Sequence, residues 1–216
     1  MTISIGTAIV SYIEPHPGEA RAFNRWYEGD HFPAAVLAGP GVFAGARFVA
    51  TRACKALRPA SATLFGDPAR GSYLGIAWVL PGAQAEWDAW VVTAMEQITA
   101  EHRLFPRRDH IHTAVYSYAW ETGAVPAIAA LDRGFPGVIA LAGADAVAAV
   151  DAPVTVGLQL EHTIISAADP PAHELQLVFC AGDPCAAFAA IPPGPIGFAS
   201  PFLATIPGTD VYTDEI

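Results

Sequence analysis

The sequence predicts an α+β protein built from one order of elements used twice. Apolar residues make up 53% of the 216-residue chain and charged residues 15%, so a large core has to be buried. Over the first 120 residues, β-branched stretches and stretches of helical spacing follow in the order strand, helix, strand, strand, helix, strand. A shorter version of that order fills the rest of the chain.

Residues 3–13, ISIGTAIVSYI, read as the first strand, ended by Pro15 and Pro17. Gly18 to His31 reads as a helix, because Ala20, Phe23, Trp26 and Tyr27 recur at helical spacing. Pro33 is its expected boundary, and AGPG at 38–41 is a turn. Phe43 to Ala53 reads as a second strand, 54–71 as a Pro/Ala/Gly loop, and Ser72 to Leu80 as a third strand. Pro81-Gly82 turns the chain into a helix over 84–102, with Trp87, Trp90, Val91, Ala94 and Ile98 along one stripe. Pro106 breaks that helix, and Asp109 to Trp120 is the fourth strand. This is the split βαβ, ferredoxin-like order. Two helices cover one face of such a sheet and leave the other face bare.

In the second half, 136–142 suggests a strand, 143–151 an Ala-rich helix, 154–166 and 174–181 two strands, 184–191 a short helix and 197–206 a last strand. Element order alone links the halves. The expectation is two tandem ferredoxin-like (βαββαβ) repeats, residues 1–121 and 122–216, the second abbreviated. Their bare sheet faces would cover each other and form an α+β barrel with a cavity.

The net charge of -10, from 21 acidic and 11 basic residues, repels phosphate backbones and anionic bilayers, so neither nucleic acid nor membrane is an expected partner. No apolar run reaches the roughly 20 residues needed to span a bilayer. MTISIGTAIVSYIEPHPGEA has no basic leader and reads as a strand rather than a signal peptide. Three widely spaced cysteines, Cys54, Cys180 and Cys185, do not make a disulfide framework and suit a reducing cytoplasm. Cys180 and Cys185 have a zinc-like spacing but no second pair to complete a site. The low charge fraction leaves room for a homodimer that covers apolar surface.

The stretch Phe23-Asn24-Arg25-Trp26-Tyr27-x-x-x-His31-x-Pro33, followed by Pro40-Gly41-Val42 and Ala46-Arg47-Phe48, resembles the dimeric α+β barrel superfamily, and most of all its EthD-like branch. The tail Pro207-Gly208-Thr209-Asp210-Val211-Tyr212-Thr213-Asp214 is also similar to tails of longer EthD-like proteins. The arginine element here is single where relatives often double it. The long second half suggests a fused pseudo-dimer. The superfamily includes lyases, isomerases, dehydratases, cofactor-free oxygenases and haem enzymes, so the resemblance implies a fold and a cavity, not one reaction.

In a regular α-helix, Trp26 and Asp30 share a face, as do Tyr27 and His31. His31 reads either as a structural histidine or, as the resemblance implies, as a pocket acid/base. In the strand from Asp109, period-two alternation puts His110, His112, Ala114, Tyr116 and Tyr118 on one face, polar and aromatic as a ligand cavity requires. The two histidines could instead bind a metal, with His31 or Glu161 as third ligand, or His110 could lie exposed at the strand start. Glu161 is costly in an apolar strand unless paired, functional or on a solvated face. Arg47 could hold a substrate oxygen or pair with Asp30 or Glu28. No G-x-S-x-G, P-loop, G-x-G-x-x-G or H-E-x-x-H motif is present.

These readings converge on a small-molecule enzyme acting by acid/base chemistry, as a lyase, isomerase or cofactor-free oxygenase, on an aromatic or polyketide-like compound. His31, His112 and Tyr116 are the expected catalytic residues. Trp26, Tyr27, Arg47, His110, Tyr118 and Glu161 are the expected substrate contacts, with no metal and no cofactor. Two alternatives stand beside this reading: a non-catalytic hydrophobic-ligand-binding or accessory protein, and a metal- or haem-dependent oxygenase.

Overall fold

A computed structural model describes residues 3–59, 66–131, 134–142, 152–166, 173–191 and 197–216. The strands are β1 (Thr7–Pro15), β2 (Val42–Val49), β3 (Tyr73–Val79), β4 (Arg108–Gly123), β5 (Gly137–Ala142), β6 (Val154–Ser166), β7 (Glu174–Cys180) and β8 (Phe198–Ala204). The helices are α1 (Ala20–Trp26), α2 (Arg52–Ala56), α3 (Gln84–Ala100), α4 (Ala127–Ala130) and α5 (Pro184–Ala189). The expected helix at 143–151 lies outside the described residues. Among those residues, no helix is long and apolar enough to cross a membrane.

All eight strands form one closed antiparallel barrel in the order β1-β3-β2-β8-β5-β7-β6-β4, with β4 pairing back onto β1. The first four strands therefore lie side by side as 4-1-3-2 and the last four as 8-5-7-6. Two seams join these groups, and they are unequal. β4 and β6 pair from His112↔Ser166 to Gly123↔Val154, whereas β2 and β8 pair only at Phe48↔Ala204 and Val49↔Leu203.

Strand alternation sorts side chains between inside and outside. Across β2, β3, β1 and β4 the inner side chains stand in rows: Ala44, Trp78, Ala8 and Tyr116; then Ala46, Ile76, Val10 and Ala114; then Phe48, Leu74, Tyr12 and His112. Large rings fill much of this interior, with Trp78, Tyr12, Tyr116, Phe198 and Phe202 all fully buried. The space expected between two facing sheets is thus largely packed with side chains.

Two of the boundaries that differ from the sequence reading have a local cause that bears on the site. The second strand ends at Val49, because Thr51 caps α2 by accepting from the Cys54 N–H. The helix after α1 does not stop at Pro33. It widens into π-helical turns at Tyr27–His31 and Pro33–Leu37, with the Phe32 N–H reaching the Tyr27 carbonyl and the Ala38 N–H reaching that of Pro33. A widened turn lets the chain pass a proline that would clash in a regular helix.

This widened helix lies on the outer face of the sheet. Phe23 is fully buried there among Trp26, Tyr27, Tyr73 and Phe105, with ring centroids 5.0–6.0 Å away. Two glycines make the approach possible. A methyl group on Gly45 would lie 2.4 Å from Leu37 and 3.0 Å from the Phe32 ring, and one on Gly75 would lie 3.1 Å from the Tyr27 hydroxyl. Phe23→Ala is expected to cost about 3–5 kcal/mol, and Phe23→Leu clearly less, in urea unfolding.

Candidate functional site

The short β2–β8 seam leaves the preceding part of β2 unpaired on that side, and a slit of about 380 Å³ opens there. Its walls include the inner residues Phe48, Ile76, Trp78 and Phe179, together with Phe32 and Leu37 from the widened helix and Phe135 from the segment just before β5. Ala44, Ala46 and Ala204 keep it open by being small. Among the described residues, Glu28, Arg47 and Thr205 are its polar side chains.

Arg47 is buried on the outer side of β2. Its Nη2 donates to Asn24 Oδ1 at 2.7 Å, its Nη1 donates to Glu28 Oε2 at 3.1 Å, and its guanidinium carbon lies 5.1 Å from the centre of the Tyr27 ring. Its Nε–H is buried without a partner. Burial lowers the Arg47 pKa, against the favourable fields of Tyr27 and Glu28. The C-terminal tail fixes the groups that fix Arg47. Asn24 donates to the Thr209 carbonyl at 3.0 Å, the Gly208 N–H donates to Glu28, and Arg21 and Arg25 bind Asp214 and Asp210.

A second polar group lies inside the barrel. His112 is fully buried, with Nε2 3.3 Å from the Tyr116 hydroxyl and Nδ1 3.1 Å from Ser166 Oγ. The Tyr12 ring lies 6.3 Å from the imidazole. Burial lowers the His112 pKa to about 4 and raises those of Tyr116 and Tyr12, so near neutrality all three are uncharged. A neutral imidazole has one N–H and one lone pair, so it can take a proton from one hydroxyl while giving one to the other.

The expected site residues therefore fall into three places. His112, Tyr116 and Tyr118 face inward, as the alternation requires. His110 does not share their face. β4 carries an extra residue, Ile111, between the pairs Tyr12↔His112 and Ile13↔His110. This bulge reverses the pleat and sends His110 outward to the Thr113 hydroxyl, which in turn donates to Ser11. The suggested His110–His112 metal pair is lost with it. Among the described residues, no group of three His, Cys, Asp or Glu side chains is placed to hold a metal ion.

Trp26, Tyr27 and His31 lie in the outer ring layer. Because the helix is widened, rings five apart stack, Trp26 on His31 at 4.7 Å and Tyr27 on Phe32 at 5.5 Å. Asp30 binds Arg103 at 2.5 Å, so Arg47 takes Glu28. His31 is buried with its Nδ1 unpartnered and does not line the slit. Burial, then Arg108 and His110, lower its pKa to about 4 against the opposing pull of Asp30. Glu161 sits at a bulge of β6, exposed to solvent on the same surface as Asp88 and His162.

Sequence reasoning did not single out Tyr12, Ser166, Asn24, Trp78 or Phe179. Tyr12 was reachable, since it shares the inner phase of β1 with Ala8 and Val10. A wider groove of about 790 Å³ lies over Glu14, Lys55, Arg70 and Asp109, but these charges pair with one another. The described residues lining the slit offer no imidazole, thiolate, thioether or phenolate to ligate haem iron, so they do not fit that cofactor.

No protein-family model matches the chain, and no curated protein matches it in sequence. A candidate chlorite dismutase of known structure matches with a TM-score of 0.52 at 10% identity, covering 99% of this chain and 100% of that one. An anthrone oxidase-like protein gives a TM-score of 0.49 at 9% identity over 96% of each chain. At such identity the first likeness shows the fold alone, that of the ferredoxin-like α+β barrels.

Three histidines held near pH 4 instead of 6.5 tie stability to pH. Below about 6.5 the unfolded chain binds protons that the folded chain refuses, so stability is full above that pH and falls toward pH 4. The slope should approach about 1.4 kcal/mol per pH unit for each histidine. Urea unfolding across this range should show the fall, and His112→Gln should reduce its slope by about one proton.

Proposed function

We propose that this chain acts on a small hydrophobic ring compound, taken into the slit of the barrel wall, by proton transfer through His112 and Tyr116. The observation that carries the reading is the slit itself, an apolar opening onto the inner row that runs from Ala44 and Trp78 through Ala8 to Tyr116. Its volume suits a compound of roughly two or three fused rings. That row ends at a neutral imidazole–phenol pair, and proton transfer is the use its chemistry favours. In this reading His31, stacked on Trp26 away from the slit, serves packing, and Tyr27 orients Arg47. The reaction class is lyase, isomerase or cofactor-free oxygenase, as the sequence resemblance implies.

The same reading treats the chain as two fused units of an EthD-like barrel, 1–121 and 122–216, because the strands of each half follow one spatial order. A second copy of the chain remains a candidate partner.

One observation favours a second reading. Among the described residues, no histidine or tyrosine lines the slit directly, which suits a binding or accessory protein. Two variants separate the readings. Ala46→Leu, which fills the slit, should weaken binding of ring compounds, followed by calorimetry, by at least about tenfold. His112→Gln should keep binding but lose about a hundredfold or more in turnover. Turnover that survives both His112→Gln and Tyr116→Phe rules out the proton-transfer assignment. Tight binding with no product in the unaltered protein supports the binding protein instead.

A further inference from the structure

The polar groups of the slit also specify its ligand, granted the ligand-binding reading above. Thr205 Oγ1 donates to the Arg47 carbonyl at 3.1 Å. Glu28 is occupied at both oxygens, by Arg47 and by the Gly208 N–H. Two of the three Arg47 nitrogens are engaged. The third, Nε–H, is buried and unpartnered in a residue that lines the slit. A buried donor without an acceptor is costly, and a charged donor more so, which makes it a place where a ligand oxygen is rewarded.

The charge of that oxygen follows from Glu28. Its carboxylate already neutralises Arg47 at 3.1 Å, so among the described residues the polar end of the slit carries no net positive charge. A ligand carboxylate there would meet Glu28 as a like charge in an apolar, poorly screened space. A carbonyl oxygen accepts the same hydrogen bond without that repulsion. The remaining walls, Phe32, Leu37, Phe48, Ile76, Trp78 and Phe179, offer only apolar and ring surface.

We propose that the slit selects neutral ring compounds bearing one carbonyl-type acceptor, with Arg47 as its donor and Glu28 as the group that turns away the corresponding acids. Arg47 and Glu28 are thus specificity residues, acting on what enters rather than on the proton transfer.

Three probes of one shape test this on the unaltered protein: 2-ethylnaphthalene, 2-acetylnaphthalene and 2-naphthoate, titrated near neutral pH with Trp fluorescence and calorimetry as readouts. The ketone is expected to bind about tenfold more tightly than the hydrocarbon, and the acid most weakly of the three. Glu28→Gln, which keeps an acceptor for the Gly208 N–H but removes the charge, should raise 2-naphthoate affinity by about tenfold and leave the ketone nearly unchanged. Equal binding of ketone and hydrocarbon overturns the role of Arg47. Acid binding as tight as ketone binding overturns the role of Glu28. If none of the three binds, and Ala46→Leu is indistinguishable from the unaltered protein, the ligand-binding reading itself falls and this one falls with it. The comparison in the unaltered protein is decisive even if Glu28→Gln proves unstable.

Discussion

Closure of the sheet is the constraint on which everything else rests. An eight-stranded barrel has one inside, and the pleat assigns each strand residue to it or to the outer face. One small inner residue, Ala8, lies between the Trp78 and Tyr116 rings of the neighbouring strands and leaves room for both. The outer face of the first four strands carries the rings of the widened helix. Most of the chain's chemistry is decided by which side of this wall a side chain reaches.

The histidines show how fine that decision is. Regular alternation would keep His110 and His112 together. One extra residue, Ile111, separates them, His112 into the barrel and His110 into the outer layer near Arg108 and His31. A bulge leaves no mark in composition or periodicity, which is why the sequence reads these two as neighbours. The widened helix has the same effect. Spacing of four pairs Tyr27 with His31, and those rings do meet at 5.5 Å, but the widened turn also stacks Trp26 on His31 at 4.7 Å. By contrast, strand and helix order was legible almost throughout, because β-branched runs and turn residues depend only on local chain. The inward row His112, Ala114, Tyr116, Tyr118 was legible for the same reason. The slit was not, since it arises where two strands far apart in sequence meet for only two residues.

Arg47 illustrates how a site can be built from distant parts with little of its own. Its position comes from β2, its partners Asn24 and Glu28 from the helix, and the positions of those partners from the tail at 208–214. The tail belongs to the frame of the site although, of the chain from Ala204 onward, Ala204, Thr205 and Pro207 are the residues that line the slit. Ion pairs from Arg21 and Arg25 to the tail lie on the surface and are individually weak. Taken together with the buried Asn24 contact, they hold a single arrangement.

The two seams also give the molecule a mechanical character. The β4–β6 seam, with its long ladder, is a spine; the β2–β8 seam, with two register pairs, is a clasp. Parting the clasp breaks few backbone hydrogen bonds, whereas parting the spine would dismantle the sheet. The clasp lies at the edge of the slit, so the barrel wall is weakest where it is open and strongest on the seam that joins the halves through the long ladder.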